Sequence, residues 1–353
     1  MLTNELPPFP DRIPTVPLVV IDYQLIKAGH ASEIERLFRA GKELGFWYLK
    51  NHGVEDSTED MFNMGAETMV LPMKEKMAFE QGDSGRSFGY KCAGAVATDE
   101  DGTPDTIESI NISRDDALSW PSVVHRTYPA TVNARMDTTI KPFIKKSVEI
   151  NDTLLNAFNQ KLGLPEGALV SKHALEERTS SEARCIRAPP NQTTKVSLDA
   201  HSDYGTITFL HNRVIGGLQV LLPGTEEWRA VKPIPGHAIC NLGDAMVIFS
   251  GGILRSNMHR VVPPPEEQSH HERWSMAYFT RPGNGVVLEP LDSPIIAKAV
   301  SKAAPGQYNT GVTASVWFER RIRNRRLANR KGPETWWASR GTEHSGNKPV
   351  SYA

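Results

Sequence analysis

Between about residue 182 and residue 282 the chain consists of short apolar runs that glycine and proline residues interrupt. The runs lie at residues 206–210, 218–222, 238–242, 246–249, 260–262 and 274–279. Runs of this length match β-strands better than helices, and the turn-forming residues between them favour tight connections. Such a succession of short strands predicts an all-β sandwich or barrel of the jelly-roll kind.

The flanking regions alternate between helical and strand-like patterns. Apolar residues recur at helical intervals over residues 32–44, 58–70 and 144–162, and strand-like runs occupy residues 16–22 and 46–49. Ser32, with Glu35 three positions later, is typical of a helix N-terminus. Residues 81–116 are rich in glycine, serine, aspartate and threonine and lack periodicity, so we expect a long irregular segment that can cover a site.

The charge balance and the cysteine pattern argue against several classes of protein. The chain carries 40 lysine and arginine residues against 41 aspartate and glutamate residues, a formal net charge of -1, so no general field draws it to nucleic acid or to anionic lipid. Its three cysteines, Cys92, Cys185 and Cys240, are far apart, which argues against a disulfide-stabilised domain or a zinc finger and predicts a cytoplasmic protein. No apolar stretch approaches the ~20 residues of a membrane helix.

Residues 313–331 form a basic run on a helix-compatible pattern. The cationic residues are Arg320, Arg321, Arg323, Arg325, Arg326, Arg330 and Lys331. Such a run could contact RNA or an acidic partner. We favour a solvated helix face that packs through Val316, Ile322 and Leu327.

His201 and Asp203 stand two positions apart at the start of a predicted strand. Because residues two apart on a strand project from the same face, the imidazole and the carboxylate can bind one metal ion. His259, which begins another predicted strand, is the candidate third ligand. Two imidazoles and one carboxylate on one face form the facial triad typical of non-haem Fe(II) sites that activate oxygen.

Arg273 and Ser275 repeat this spacing on the strand that begins 14 positions after His259. A guanidinium and a hydroxyl group on the same side form a site for a terminal carboxylate inside a barrel. The alternative is that Arg273 pairs on the surface with an acid such as Glu267 and that Ser275 is incidental.

Six segments in a fixed order carry a resemblance to a known family. They are residues 16–22, 45–53 (GFWYLKNHG), 201–208 (HSDYGTIT), 217–220 (GLQV), 241–244 (NLGD) and 259–261 (HRV). Over roughly residues 16–282 the chain resembles the iron- and 2-oxoglutarate-dependent dioxygenases of the isopenicillin N synthase-like group. The tail at residues 336–341 is similar to that of fungal members.

The resemblance implies a mainly β fold with flanking helices, in which a double-stranded β-helix (jelly-roll) core is joined to an N-terminal α/β region. We divide the chain accordingly into an N-terminal helical and mixed region over residues 1–180, a catalytic core over residues 181–285 and a C-terminal helical extension over residues 286–353. All three are expected to pack as one compact unit.

The same resemblance implies Fe(II) bound by His201, Asp203 and His259. It also implies that Arg273 and Ser275 hold the 5-carboxylate of 2-oxoglutarate, with O2 as the second co-substrate. His52, in the segment at residues 45–53, is then expected to satisfy backbone groups rather than to bind iron.

One strand departs from the family pattern. Members commonly place a tyrosine, often with an asparagine two residues earlier, on the strand that precedes His201, and Ile186 and Ala188 stand there in this chain. Either Arg184, on the same face, supplies part of the missing hydrogen bonding, or the smaller side chains enlarge the pocket for a bulky substrate. A register shift of one residue would instead turn Arg187 inward.

These features predict an oxygenase that couples decarboxylation of 2-oxoglutarate to hydroxylation, desaturation or ring closure of a small organic molecule, in specialised metabolism by family analogy. The candidate substrate contacts are Tyr90, Asn111, Arg184 and Phe209. Ordinary packing is the alternative role for Tyr90, Asn111 and Phe209. Two other functions stay open: an iron oxidase that works without 2-oxoglutarate, and a catalytically silent scaffold that keeps the fold and the metal.

Overall fold

Two β-sheets form the centre of the molecule in the computed structural model, which describes residues 6–190 and 196–342. The strands are β1 Val20–Asp22, β2 Phe46–Lys50, β3 Gly89–Lys91, β4 Glu108–Ser113, β5 Glu182–Ala188, β6 Leu198–His201, β7 Ile207–Asn212, β8 Leu218–Leu221, β9 Trp228–Ala230, β10 His237–Leu242, β11 His259–Val261 and β12 Arg273–Phe279. The larger sheet has the order β1-β2-β10-β7-β12-β5-β4-β3, and the smaller has the order β6-β11-β8-β9. The predicted mainly β class is therefore present.

Helices surround the larger sheet. The α-helices of the described residues are α1 Tyr23–Lys27, α2 Ala31–Glu43, α3 Glu55–Met69, α4 Met73–Met77, α5 Arg114–Ser119, α6 Ala130–Asn133, α7 Lys141–Lys161, α8 Asp244–Phe249, α9 Pro294–Val300, α10 Ala314–Arg325 and α11 Pro333–Ala338. Among these, α3 packs on β5 and β12, and α2 packs on β2 and on α7. None of the described helices combines the length and the apolarity that a bilayer crossing requires.

Alternation along the strands divides the larger sheet into two faces of different character. The outer face packs on the helices through large apolar side chains, among them Trp47, Phe209, Cys240, Trp274 and Tyr278. The inner face carries polar side chains, among them Thr208, Asn212, Asn241, Arg273 and Ser275. Burial of the outer face supplies apolar stabilisation, so the inner face is the one that can carry a polar site.

A second apolar cluster joins the two sheets. Phe46 and Ile239 from the larger sheet pack against Leu218 and Val220 from the smaller sheet. The Phe46 ring also packs against the imidazole of His259 in a T-shaped arrangement, with ring centroids 5.4 Å apart. This cluster fixes β11, which begins at His259, against the inner face of the larger sheet.

Two predictions about secondary structure are wrong. Residues 246–249 belong to helix α8 rather than to a strand, because a short apolar run does not distinguish a buried helix from a buried strand. The segment 81–116 is not irregular throughout, since it contains β3 and β4, which extend the larger sheet. Strand β4 is buried on both faces, so its sequence shows no alternation.

Smaller differences concern element boundaries. Helix α2 begins at Ala31, and its N-cap residue is His30, which makes no side-chain capping bond, so Ser32 lies inside the first turn.

Gly45 follows this helix with φ 77°. A Cβ atom there would lie 2.2 Å from the carbonyl oxygen of Arg255, so this close approach requires glycine.

The basic C-terminal helix is embedded in the protein. Trp317, Phe318 and Arg321 are buried, whereas Val316 is exposed. Arg321 forms a fully buried ion pair with Asp244, at the start of α8. The predicted solvated face packed through Val316 is therefore wrong, because the chain contributes its own acidic partner to this helix.

The N-terminal region completes the sheet of the catalytic core. Strand β2 pairs with β10, and β4 pairs with β5. Strands from residues 1–180 and from residues 181–285 thus share one sheet. The ends of the outer two predicted regions, residues 1–5 and 343–353, lie outside the described residues.

Candidate metal centre

The side chains of His201, Asp203 and His259 meet between the two sheets. His201 is the last residue of β6, and His259, the first residue of β11, lies directly opposite it in the antiparallel register. Asp203 follows two residues later, in the connection to β7, not on a continuous strand as predicted. Oδ1 of Asp203 lies 3.9 Å from Nε2 of each histidine, and one ligand atom from each residue lies within 4.8 Å of the others.

Hydrogen bonds orient each of these side chains. Nδ1 of His201 donates to the backbone carbonyl of Asp199 at 2.7 Å, and Nδ1 of His259 donates to that of Asn257 at 3.2 Å. With Nδ1 protonated in each ring, Nε2 is the nitrogen that can bind a metal ion.

The carboxylate of Asp203 is oriented in the same way. Its Oδ2 accepts from Oγ1 of Thr208 at 2.6 Å and from Nδ2 of Asn241 at 2.7 Å. Oδ1 is left to face the two histidines. Sequence reasoning did not assign this role to Thr208 or Asn241, although both belong to the quoted motifs.

Local electrostatics favour the metal-binding protonation states of His201 and Asp203. Burial, together with the neighbouring His259, lowers the pKa of His201 well below its ordinary value. Burial opposes ionisation of Asp203, but the two imidazoles and the hydrogen bonds from Asn241 and Thr208 outweigh it and lower its pKa to about 2. Neutral imidazole and ionised carboxylate are the ligand forms that a divalent cation requires, so the residues fit an Fe(II) facial triad.

Arg273 is a buried cation without an acidic partner among the described residues. Its Nε donates to the carbonyl of Gly216 at 2.8 Å, Nη1 to Oγ of Ser275 at 2.7 Å, and Nη2 to Oδ1 of Asn212 at 3.4 Å. Burial lowers its pKa to about 10. The alternative surface pair with Glu267 is therefore wrong, because Arg273 lies on the inner face of the sheet. Neither sequence pattern nor spacing had pointed to Asn212.

Arg273 and Ser275, which we call the clamp, share the inner face of the larger sheet with Thr208 and Asn241, the residues that orient Asp203. Thr208, which binds Asp203, and Asn212, which binds Arg273 and Ser275, are both on β7 and on the same face. They are four positions apart, or roughly 13 Å along the strand. A carboxylate held by Arg273 would therefore lie on the same face of the larger sheet as the residues that orient Asp203.

A cavity of about 120 Å³ opens beside the metal ligands His201 and Asp203. Of the four predicted substrate contacts, Asn111 and Arg184 line it, as does Ile186. These residues are adjacent on the inner face, where Asn111 pairs with Arg184 across β4 and β5. We call this space the central cavity.

Tyr90 and Phe209 do not reach the central cavity, which corrects their prediction as substrate contacts. Both point to the outer face and belong to the helix-packed core. The hydroxyl of Tyr90 donates to Glu108 at 2.5 Å. Successive side chains of a strand point to opposite faces, so the adjacent Lys91 lines the cavity where Tyr90 does not.

The predicted register of β5 agrees with the structure. Arg187 points to the outer face, where it pairs with Glu108 and Glu272, and Ile186 faces inward. Ala188 is buried opposite Arg273. The strand therefore presents apolar groups to the co-substrate region at the two positions that are commonly polar in the family.

His52 lies away from the metal ligands. Its Nδ1 accepts a hydrogen bond from the backbone N–H of Val54 at 3.3 Å. It lines a separate surface hollow with His211 and His237, and none of the three metal-ligand candidates lines that hollow. The contact with Val54 agrees with the structural role expected for His52.

Two family profiles match the chain. The profile of the 2OG-Fe(II) oxygenase superfamily matches residues 167–282, which include the candidate metal ligands and the predicted clamp residues. A profile described as non-haem dioxygenase in morphine synthesis N-terminal matches residues 18–132. The chain belongs to the Fe(II)- and 2-oxoglutarate-dependent dioxygenases. The predicted family, of the isopenicillin N synthase-like group, is confirmed, and with it the identity as an oxidoreductase that uses iron and 2-oxoglutarate.

Fungal dioxygenases are among the most similar relatives. The 2-oxoglutarate-dependent dioxygenase frbH of Dothideomycetidae sp. is 29% identical over 287 residues, which span 78% of this chain and 84% of the relative. A 2-oxoglutarate-dependent dioxygenase of Aspergillus fumigatus is 27% identical over 328 residues, 84% of this chain and 83% of the relative. These fungal relatives support the predicted resemblance of the dioxygenase to fungal members.

Solved structures confirm the fold of the dioxygenase. A full-length protein from Neurospora crassa, crystallised in complex with alpha-KG, aligns with a TM-score of 0.71 at 22% identity, over 90% of this chain and 99% of that one. A 2OG-Fe(II) oxygenase family protein from Caulobacter crescentus aligns with the same TM-score of 0.71, over 88% of this chain and 99% of that one. The jelly-roll core predicted from the short strands is therefore confirmed.

Proposed function

We propose that this dioxygenase binds Fe(II) through His201, Asp203 and His259 and binds the 5-carboxylate of 2-oxoglutarate through Arg273 and Ser275, while a small organic substrate occupies the central cavity. The buried guanidinium of Arg273 is the observation that carries the proposal. A fully buried cation without a carboxylate partner is costly unless an anion binds it, and a keto diacid supplies that anion.

Bound iron and 2-oxoglutarate supply oxidative decarboxylation, which yields succinate and carbon dioxide and activates O2 for oxidation of a substrate C–H bond. The residues of the chain contribute position and a dry environment. The hydrogen bonds to Asp203 from Thr208 and Asn241 hold its carboxylate toward the metal position. The apolar side chains of Ile186 and Phe279 line the cavity and help to exclude water from it. Hydroxylation, desaturation and ring closure are all compatible with this arrangement.

The profile that matches residues 18–132 is named for morphine synthesis, which supports a substrate from specialised metabolism. The fungal dioxygenase frbH and the dioxygenase gloE of Glarea lozoyensis are named for 2-oxoglutarate dependence, which favours that co-substrate over an oxidase that works without it. The complete set of metal and clamp residues argues against a silent scaffold. A cytoplasmic location stays a prediction from the cysteine pattern.

Anaerobic titration of the purified protein with Fe(II) and then with 2-oxoglutarate tests the proposal. We expect the weak visible charge-transfer band of an iron-chelated keto acid. The band should be absent in His259→Ala, which removes a metal ligand. Bound iron without the band would favour the oxidase that works without 2-oxoglutarate, and failure to bind iron would favour the silent scaffold.

A further inference from the structure

Helix α10 brings its last residue, Arg325, to the wall of the central cavity. Neighbouring arginines fix the helix on both sides of this position. Arg321 is buried against Asp244, and Arg326 pairs with Glu80 at 2.7 Å. Arg325 is thus positioned by ordered structure rather than by a solvated tail.

The guanidinium of Arg325 has donors that no described residue uses. Its Nη1 lies 3.4 Å from the hydroxyl of Tyr204. Its Nε and Nη2 are buried and have no hydrogen-bond partner in the described part of the chain. No described acid lies within ion-pair distance, and Asp199 lies 4.0 Å from Arg340 instead. Buried donors of a cation are costly unless a ligand satisfies them.

The central cavity as a whole has an excess of positive charge. Its cationic lining residues are Lys91, Arg184, Arg281 and Arg325. Among its described lining residues, Asp203 is the one carboxylate, and it faces the metal position. Behind the wall, Asp105 pairs with Lys91, and Glu182 is shared by Arg184 and Arg281. These two carboxylates form ion pairs with three of the four cations. Arg325 forms no ion pair with either of them, although Asp199 and Asp105 attract it from a greater distance.

Other donors and acceptors in the wall are unsatisfied as well. Three of these atoms are buried and have no hydrogen-bond partner within residues 6–190 and 196–342: Nε of Arg184, Nε of Arg281 and Oδ1 of Asn111. The remaining lining is largely apolar and includes Val96, Ile107, Leu198, Phe279 and Ile322. The cavity thus combines an apolar surface with a cationic end that includes Arg325.

We propose that Arg325 binds a carboxylate of the substrate, so that the substrate is an organic acid with an apolar body. This inference rests on the proposed function, because it places the substrate in the cavity beside the metal ligands. Arg273 holds the co-substrate, and Arg325, from a different element, selects the substrate. An uncharged analogue leaves the donors of Arg325 unpaired and is rejected.

Binding measurements without turnover test this assignment. The full chain is loaded with Mn(II) in place of iron and saturated with 2-oxoglutarate, so that Arg273 is already occupied. Phenylacetate, 3-phenylpropionate, cinnamate and octanoate are then titrated by calorimetry, each beside its own primary amide. We expect at least one acid to bind about tenfold or more tightly than its amide, because a charge-assisted pair with arginine forms only with the acid.

Variants on the same helix assign the preference to one residue. Arg325→Gln should remove the preference for the acid, and Arg325→Lys should retain part of it. Arg323→Gln is the matched control, since Arg323 is exposed and contacts the backbone carbonyl of Ser84. This control should leave the preference unchanged.

Three results would overturn the inference. The first is that the wild type prefers none of the acids over its amide, and the second is that the preference survives in Arg325→Gln. The third is that Arg325→Gln loses as much affinity for 2-oxoglutarate as it loses for the acid, which would place Arg325 in the co-substrate site. Affinity for 2-oxoglutarate is measured first in every sample. Failure of the wild type to bind 2-oxoglutarate would refute the proposed function itself, whatever the acids do.

Discussion

Arg273 is the residue on which the proposed co-substrate site depends most. The contacts of its guanidinium determine how much affinity for 2-oxoglutarate a substitution should remove. A guanidinium has five N–H donors. Three of them are directed at Gly216, Ser275 and Asn212. One N–H group therefore remains on each terminal nitrogen, which is the arrangement that binds a carboxylate through two hydrogen bonds.

The substitution Arg273→Gln removes the charge and the paired donors together. Loss of one partner of a buried, hydrogen-bonded charge pair costs about 2–5 kcal/mol. Because about 1.4 kcal/mol corresponds to a factor of ten in affinity, the dissociation constant of 2-oxoglutarate should rise about 30-fold to about 4,000-fold. Arg273→Lys keeps a charge without the planar fork and should give an intermediate loss.

The assay is the anaerobic titration with 2-oxoglutarate of the Fe(II)-loaded protein, followed by the charge-transfer band. Arg187→Gln is the control, since Arg187 lies on the neighbouring strand and points to the outer face, where it pairs with Glu272 and Glu108. The control should bind 2-oxoglutarate as the wild type does. A dissociation constant for Arg273→Gln close to that of the wild type would refute the clamp.

Three further predictions concern other parts of the structure. Asn241→Leu removes a hydrogen bond to the metal-facing Asp203 and should weaken metal binding about 10- to 100-fold, measured by competition with a fluorescent chelator; unchanged affinity would contradict this role. Arg321→Leu leaves Asp244 buried without its cation and should lower the free energy of unfolding by about 3–5 kcal/mol, measured in urea; a wild-type midpoint would count against it. Burial lowers the pKa of His173 to about 4 in the folded state. As the pH falls from 7 to 5, His173 therefore takes up a proton in the unfolded state but not in the folded state, and the free energy of unfolding falls by about 2 kcal/mol. In His173→Gln the free energy of unfolding should fall less steeply over that pH range, as measured by denaturation at several pH values. A slope equal to that of the wild type would refute the lowered pKa of His173.

Local spacing was enough to find the pairs His201–Asp203 and Arg273–Ser275. Side chains two positions apart on extended chain share a side whatever the rest of the fold does, so these pairs are visible in a single sequence. The jelly-roll core followed from the succession of short strands for the same local reason. The helix at residues 246–249 was missed because an apolar run of four residues has no periodicity to measure.

Contacts between distant segments could not be found in this way. Whether Tyr90 or Lys91 faces the cavity depends on the pairing of β3 with β4, and a shift of one residue exchanges the two faces. The basic tail illustrates the same limit, because its charge pattern is also that of a solvated helix.

The sequence by itself therefore determined the chemical identity of the dioxygenase, since metal-ligand and clamp residues stand at fixed local intervals in ordered motifs. Only the tertiary structure decided what surrounds them. It brought Asn241 to Asp203, Asn212 to Arg273 and Arg325 to the central cavity. Each of these contacts depends on the packing of segments far apart in the chain, and no local period encodes such packing.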